Sequence, residues 1–114
     1  MDLTCRIEQN FGIVSINGRL DAVTADEFQK KCMLYIEQGN IHLIIDMADL
    51  DYISSAGLRS LLTIAKKMKT CAGTLCLCGL NGLIEDVINL SGFSNLIPIY
   101  SDVKQAVMEC EQNG

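Results

Sequence analysis

The sequence is poor in the residues that chemistry most often recruits. Its 114 residues hold one histidine, one proline, no tryptophan and 5% aromatics. The single histidine, His42, lies inside an apolar run, which reads as a structural position. Ser-His-Asp and Cys-His arrangements would depend on His42 alone, and nothing in the spacing sets a nucleophile beside it. No Walker loop and no G-x-G-x-x-G occurs, so nucleotide binding by a glycine-rich loop has no support. These shortages point away from an enzyme. No apolar run approaches the ~20 residues of a membrane helix. The chain opens directly on a strand-like pattern with no signal-peptide character, which makes a cytoplasmic protein without membrane attachment the expectation. Basic residues are also scarce, 9 against 14 acidic, for a formal charge of −5. That balance argues against a nucleic-acid partner.

Cysteine is the exception, with six at positions 5, 32, 71, 76, 78 and 110. None of the spacing is C-x-x-C, and all lie within or beside apolar periodic segments. Reduced thiols acting as small core hydrophobes are expected. A metal site is not, because ligand spacing and a histidine-bearing second cluster are missing. No cofactor is implied.

An apolar fraction of 49% with 20% charged residues is a globular composition, and the length suits one domain. We place that domain at residues 1–111, followed by a short disordered tail at 112–114. Residues 3 to 8 alternate, with Leu3, Cys5 and Ile7 on one face. Turn chemistry at Asn10-Phe11-Gly12 then leads into a strand from Ile13 to Ile16, closed by Asn17-Gly18, which together predict a hairpin. Thr24 to Glu27 reads as a capping box, with Val23 and Phe28 as its staple. The helix that follows carries Phe28, Cys32, Tyr35 and Ile36 on one face and stops at Gly39-Asn40. Ile41 to Asp46 is a buried strand. Leu58, Leu61, Leu62, Ala65 and Met68 form the stripe of a second helix, which ends among lysines. Thr74 to Cys78 is a strand, Asn81-Gly82 starts a third helix, Leu96 to Tyr100 is a strand carrying Pro98, and Ser101 caps a last helix. The order β-β-α-β-α-β-α-β-α predicts an α/β domain with parallel pairing after the hairpin.

The chain is organised around Asp46 to Arg59. Here an acidic loop with Asp46, Asp49 and Asp51 is expected to pass from the buried strand to Ser54, Ser55 and Gly57 at the start of the second helix. At that point the first N–H groups lack partners and the helix dipole favours negative charge, so a phosphate on either serine meets a prepared environment. The aspartates can form part of a docking surface around the serines or chelate a cation weakly; the plainer alternative is that one serine merely caps the helix and the aspartates are solvated turn residues.

Tyr52-Ile53-Ser54-Ser55-Ala56-Gly57-Leu58-Arg59, on this order of elements, resembles the STAS family and, within it, the single-domain anti-sigma factor antagonists of bacteria. Gly18-Arg19-Leu20-Asp21 and Leu90-Ser91-Gly92-Phe93 fall where that family has similar residues, so the resemblance spans nearly the whole chain. It implies a single STAS-like domain, a small mixed β-sheet with an N-terminal hairpin and helices packed mainly on one face. It also implies a phosphoacceptor serine at the start of the second helix, which alignment on Gly57-Leu58 puts at Ser55. Many members have aspartate before the acceptor; Ser54 stands there here and is a second, lesser candidate. Ala56 replaces the serine that often follows.

By resemblance, the unphosphorylated protein binds a GHKL-type serine kinase that is also the anti-sigma factor, and binding releases its client. Phosphorylation of Ser55 ends the interaction until a serine phosphatase restores the hydroxyl. Partner-binding residues implied are Asp21, Asp46, Asp49, Ser54, Ser55, Gly57 and Arg59, with Arg59 one turn after Ser55 and able to meet the phosphate or the kinase. A non-phosphorylated STAS scaffold or transporter-associated subunit is the alternative within the same family.

Overall fold

The computed structural model describes the backbone of residues 1–113 and the side chains of residues 1–110. Its first two strands are β1 (Asp2–Glu8) and β2 (Phe11–Leu20). They pair antiparallel with Glu8 opposite Phe11, so the turn is the two residues Gln9 and Asn10. Both have positive φ, 50° and 72°, as a type I′ turn requires and as the strands' twist favours. The turn therefore falls earlier than Asn10-Phe11-Gly12, and Gly12 belongs to the strand.

The remaining elements are α1 (Ala22–Glu37), β3 (His42–Ile53), α2 (Ser55–Thr70), β4 (Thr74–Cys78), α3 (Gly82–Ser91), a 3-10 turn at Phe93–Asn95, β5 (Ile99–Tyr100) and α4 (Val103–Asn113). The expected order of strands and helices is present. Strands run in sequence order across one five-stranded sheet, with every pair after the hairpin parallel. Alternation sorts the side chains between two layers. Val14, Ile16, Leu43, Ile45, Leu75 and Leu77 face one way and are covered by Phe28 and Cys32 of α1, Leu61, Ile64 and Met68 of α2, and Ile84 and Ile88 of α3. Phe11, Ile13, Ile44, Cys76 and Cys78 face the other way and are covered by Ala106 and Val107 of α4. Burying each larger aliphatic or aromatic side chain contributes roughly 1.5–3 kcal/mol, so the three-helix layer dominates stability.

Further local expectations are corrected. β2 does not close at Asn17-Gly18 but runs to Leu20, because Gly18, at φ 106°, lets the strand continue through an irregularity. The stretch from Asp46 to Ile53 is not a loop; it is the second half of β3. Its pairing with β2 skips a residue twice, between Ser15 and Asn17 and again between Gly18 and Arg19. These bulges put Met47, Leu50 and Ile53, three residues apart, all on the buried face. The first helix is capped by Asp21, not Thr24, and Val23 is 82% exposed, so no staple forms there. β5 is only two residues long, Ile99–Tyr100; Leu96 to Pro98, expected in the strand, form a turn and bend that follow the 3-10 turn.

The last helix is capped by Asp102, whose Oδ1 accepts the Gln105 N–H at 2.8 Å, while Ser101 bonds instead to the Gln105 side chain. The tail expected at 112–114 lies outside the residues whose side chains are described, and Gly114 lies outside the described residues altogether. Among the described residues no helix is long and apolar enough to cross a membrane.

Candidate partner-docking face

Three helices begin at one edge of the sheet, the edge where parallel strands β2, β3 and β4 end. Each start is fixed by a side chain of the expected capping type. Asp21 Oδ1 accepts the N–H groups of Val23 and Thr24, both at 3.0 Å. Thr24 Oγ1 completes the cap by accepting the Asp21 N–H at 2.9 Å. Ser54 Oγ accepts the Gly57 N–H at 3.2 Å and caps α2. Asn81 caps α3 through Ile84 N at 3.0 Å and sends its Nδ2 to the Leu50 carbonyl at 2.9 Å, tying α3 to β3. The positive ends of three helix dipoles thus gather on one surface.

Within that surface the two serines differ. Ser54 is half-buried, its hydroxyl holds the cap, and its N–H donates to the Leu20 carbonyl at 2.9 Å. Ser55 is the first residue of α2 and is exposed. Ser55 is therefore the more exposed of the two. Gly57, one turn further in, is fully buried. A Cβ there would stand 2.8 Å from the Leu20 carbonyl oxygen and 2.8 Å from Ile53 Cγ1. Only a residue without a side chain lets α2 dock this closely on the ends of β2 and β3. Arg59 is exposed on the next turn.

The bond from Ser54 to Leu20 also sets Asp21, the next residue, beside the start of α2. The Asp21 carboxyl is held below its ordinary value of 3.8, first by the Thr24 N–H and further by the Thr24 hydroxyl, the Val23 N–H and Arg19. Its Oδ2 lies 4.0 Å from Arg19 Nε. Arg19 in turn places its guanidinium carbon 4.2 Å from the centre of the Tyr52 ring, the residue opposite it in the β2–β3 register. Sequence reasoning missed this Arg19–Tyr52 pair because the bulge at Asp51, which brings the two opposite each other, leaves no trace in the alternation.

The aspartates do not gather beside the serines. Asp49 and Asp51 are exposed along the last stretch of β3. Asp46 sits in mid-strand, opposite Ser15 and Cys78, on the α4 side of the sheet. Its Oδ1 accepts the Ala48 N–H at 3.1 Å. At about 3.3 Å per strand residue it lies on the order of 20 Å from Ser54, and the expected placement of Asp46 next to the serines is corrected. Its charge acts instead on the Cys78 thiol, whose pKa rises to about 12, mainly through burial and then through Asp46. Among the described residues no group of histidine, cysteine and carboxylate side chains has the arrangement of a metal site.

His42 lies near the opposite end of β3. Its Nδ1 is 2.9 Å from Thr74 Oγ1 and its ring packs edge-on against Phe11. All six cysteines are free thiols; Cys32, Cys76 and Cys78 are buried in the core as expected, whereas Cys5, Cys71 and Cys110 are half-buried, and burial lifts Cys32 to about 12.

An α/β sheet of this order with a capped, serine-led second helix defines a STAS domain, and comparison with known proteins agrees. The STAS domain family model matches residues 2–106. The chain belongs to that family. BtrV of Bordetella bronchiseptica, classed by name with the anti-sigma factor antagonists, is 32% identical over 87 residues, covering 76% of this chain and 75% of that protein. The anti-sigma F factor antagonist of Paenibacillus polymyxa is 26% identical over 114 residues, covering 97% of each. In fold, the chain is similar to the Thermotoga maritima protein TM1081, with a TM-score of 0.90 at 22% identity over 94% of this chain and 92% of the other. It is also similar to the Bacillus protein SpoIIAA in its phosphorylated form, with a TM-score of 0.73 at 17% identity over 96% of this chain and 99% of that one.

Proposed function

We propose that this protein is a cytoplasmic, phosphorylation-switched anti-sigma factor antagonist. In its unphosphorylated form it binds a serine-kinase anti-sigma factor of the GHKL type and displaces the client; phosphorylation of Ser55 ends that binding, and a serine phosphatase resets it. One observation carries the assignment of the acceptor: Ser55 is exposed at the first position of α2, while the Ser54 hydroxyl is engaged in the cap. The relatives named as antagonists support the class of partner.

The physical logic of the switch is local. A phosphate adds about −1.5 to −2 charge at neutral pH. Within the monomer the open N–H groups and dipole of α2 accommodate it. Against a partner surface that already accepts the Asp21 carboxylate beside the start of α2, the added charge brings repulsion and desolvation cost, so release needs no refolding. Arg59, one turn away, is placed to meet either the kinase or the phosphate.

The test is phosphosite mapping and pull-down with ATP and the GHKL serine kinases of the source organism, using wild type beside Ser55→Ala. The reading expects one phosphate on Ser55, none in the variant, and loss of kinase binding on modification. No phosphate with any such kinase overturns it in favour of a scaffold or transporter-associated role.

A further inference from the structure

The α4 face of the sheet holds a pair of thiols that the docking face does not use. Cys76 lies in the middle of β4 and is 1% exposed. Cys110 lies near the far end of α4 and is half-buried. Their sulfurs stand 3.3 Å apart, although 34 positions separate them along the chain. Bonded sulfurs lie at about 2.05 Å, so closing the gap takes a movement of roughly 1.2 Å, within the reach of small side-chain rotations. Among the described residues, no other two cysteines bring their sulfurs into contact. Ala106 and Val107, on the preceding turn of α4, seat the helix on the same surface patch as Cys76, which holds the two thiols in register.

We propose that Cys76 and Cys110 are a disulfide-forming pair, closed by hydrogen peroxide, that fastens the C-terminal helix to the central sheet. Access sets the order of events. Peroxide reaches the outer thiol first and transfers one oxygen to Cys110, giving a sulfenic acid and one water. The Cys76 sulfur then displaces the hydroxyl from the Cys110 sulfur, and its proton leaves with that hydroxyl as a second water. Two thiols are oxidised and one peroxide is reduced. Burial pushes the Cys76 thiol well above its ordinary value, so the closing step quickens as pH rises above neutrality. The closed loop enclosed by the bond spans α3, β5 and most of α4, which removes much of the unfolded chain's freedom. This inference is independent of the role of Ser55, since α4 covers the face opposite α1, α2 and α3.

The reduced full chain, freed of reductant, is titrated with hydrogen peroxide and mapped by mass spectrometry without reduction. The expected result is a linked peptide joining Cys76 to Cys110, an intact mass lower by two hydrogens, and a thermal midpoint several degrees above the reduced form. Dithiothreitol reverses all three, and Cys110→Ser, at a half-buried site that tolerates a hydroxyl, abolishes them. Accumulation of sulfinic acid at Cys110 without linkage overturns the proposal. So does linkage between any other pair of cysteines, or between two molecules.

Discussion

The N–H of Ser54 donates to the carbonyl of Leu20 across 2.9 Å, and that bond stitches the start of α2 to the end of β2. It brings the caps of α1 and α2 side by side and makes one surface of residues more than thirty positions apart in the chain. Everything proposed for the docking face depends on this closeness, which Gly57 permits.

Gly57→Ala tests the closeness directly. The added methyl would stand 2.8 Å from both the Leu20 carbonyl oxygen and Ile53 Cγ1, so α2 must shift or the strand end must yield. Overpacking of this kind costs typically ~1–3 kcal/mol, against a gain of about 1 kcal/mol from alanine's better helix propensity. We expect a net loss, read as a lower urea midpoint at unchanged slope, together with weakened kinase binding. A variant as stable as wild type would mean that the contact is soft and Gly57 has another role.

The two serines should separate cleanly. Ser54→Ala removes a cap and is expected to cost about 1 kcal/mol, whereas Ser55→Ala, exposed and outside the cap, should fall within about 0.5 kcal/mol of wild type. Phosphate transfer should show the reverse: lost in Ser55→Ala, retained in Ser54→Ala. Chemical denaturation and kinase assay on the same two preparations decide it, and phosphate persisting in Ser55→Ala would move the acceptor to Ser54.

The order of elements was legible because each helix and strand carries its own periodic stripe, and because the layer rule turns that order into a sheet. What was not legible lies where backbone irregularity breaks the period. Met47, Leu50 and Ile53 recur every third residue, a spacing that suits neither a strand nor a loop until two bulges are known. The acidic residues between them therefore read as a loop, and Asp46 was set beside serines that lie far along the strand from it. The cap of α1 was misplaced for a related reason: both Asp21 and Thr24 are capping residues, and only geometry shows that they serve the same cap from opposite ends. On α2 the expected stripe holds at Leu58, Leu61, Ala65 and Met68, and the buried face also takes in Ile64 and Ser60, whose hydroxyl donates to the Gly57 carbonyl at 2.6 Å. By contrast, the serine–small–Gly-Leu run is legible through its resemblance to the STAS family; local chemistry alone offers a helix cap and leaves the choice between the two serines open.

Core thiols should govern alkaline stability. Cys32 and Cys78 have folded-state values of about 12 against an ordinary 9.0, so the fold favours their protonated forms. The stability they confer is fully present below 9.0 and is lost progressively as pH rises through 12, because the unfolded chain ionises first. The urea midpoint should fall across that window, and Cys32→Ala should flatten the fall while lowering the neutral-pH midpoint through the cavity it leaves. In alkylation at pH 8, Cys32 and Cys78 should stay unlabelled until urea is added. A pH slope identical in the variant would remove Cys32 as a source.

Asp21 has two roles that substitution can pull apart. Oδ1 serves the cap of α1, while Oδ2 faces Arg19 at 4.0 Å and contributes negative charge to the docking rim. Asparagine caps helices about as well as aspartate, so Asp21→Asn should leave neutral-pH stability close to wild type. The folded carboxyl titrates below 3.8, so the stability it confers is present above 3.8 and lost as pH falls through the folded value; the variant should lack that acid-side decline. If the charge also meets the kinase, affinity should drop roughly two- to fivefold, mainly through slower association at low salt. Binding kinetics at two ionic strengths separate the roles. Unchanged association with a flattened acid profile would confine Asp21 to the cap and leave Ser55 and Arg59 to carry recognition.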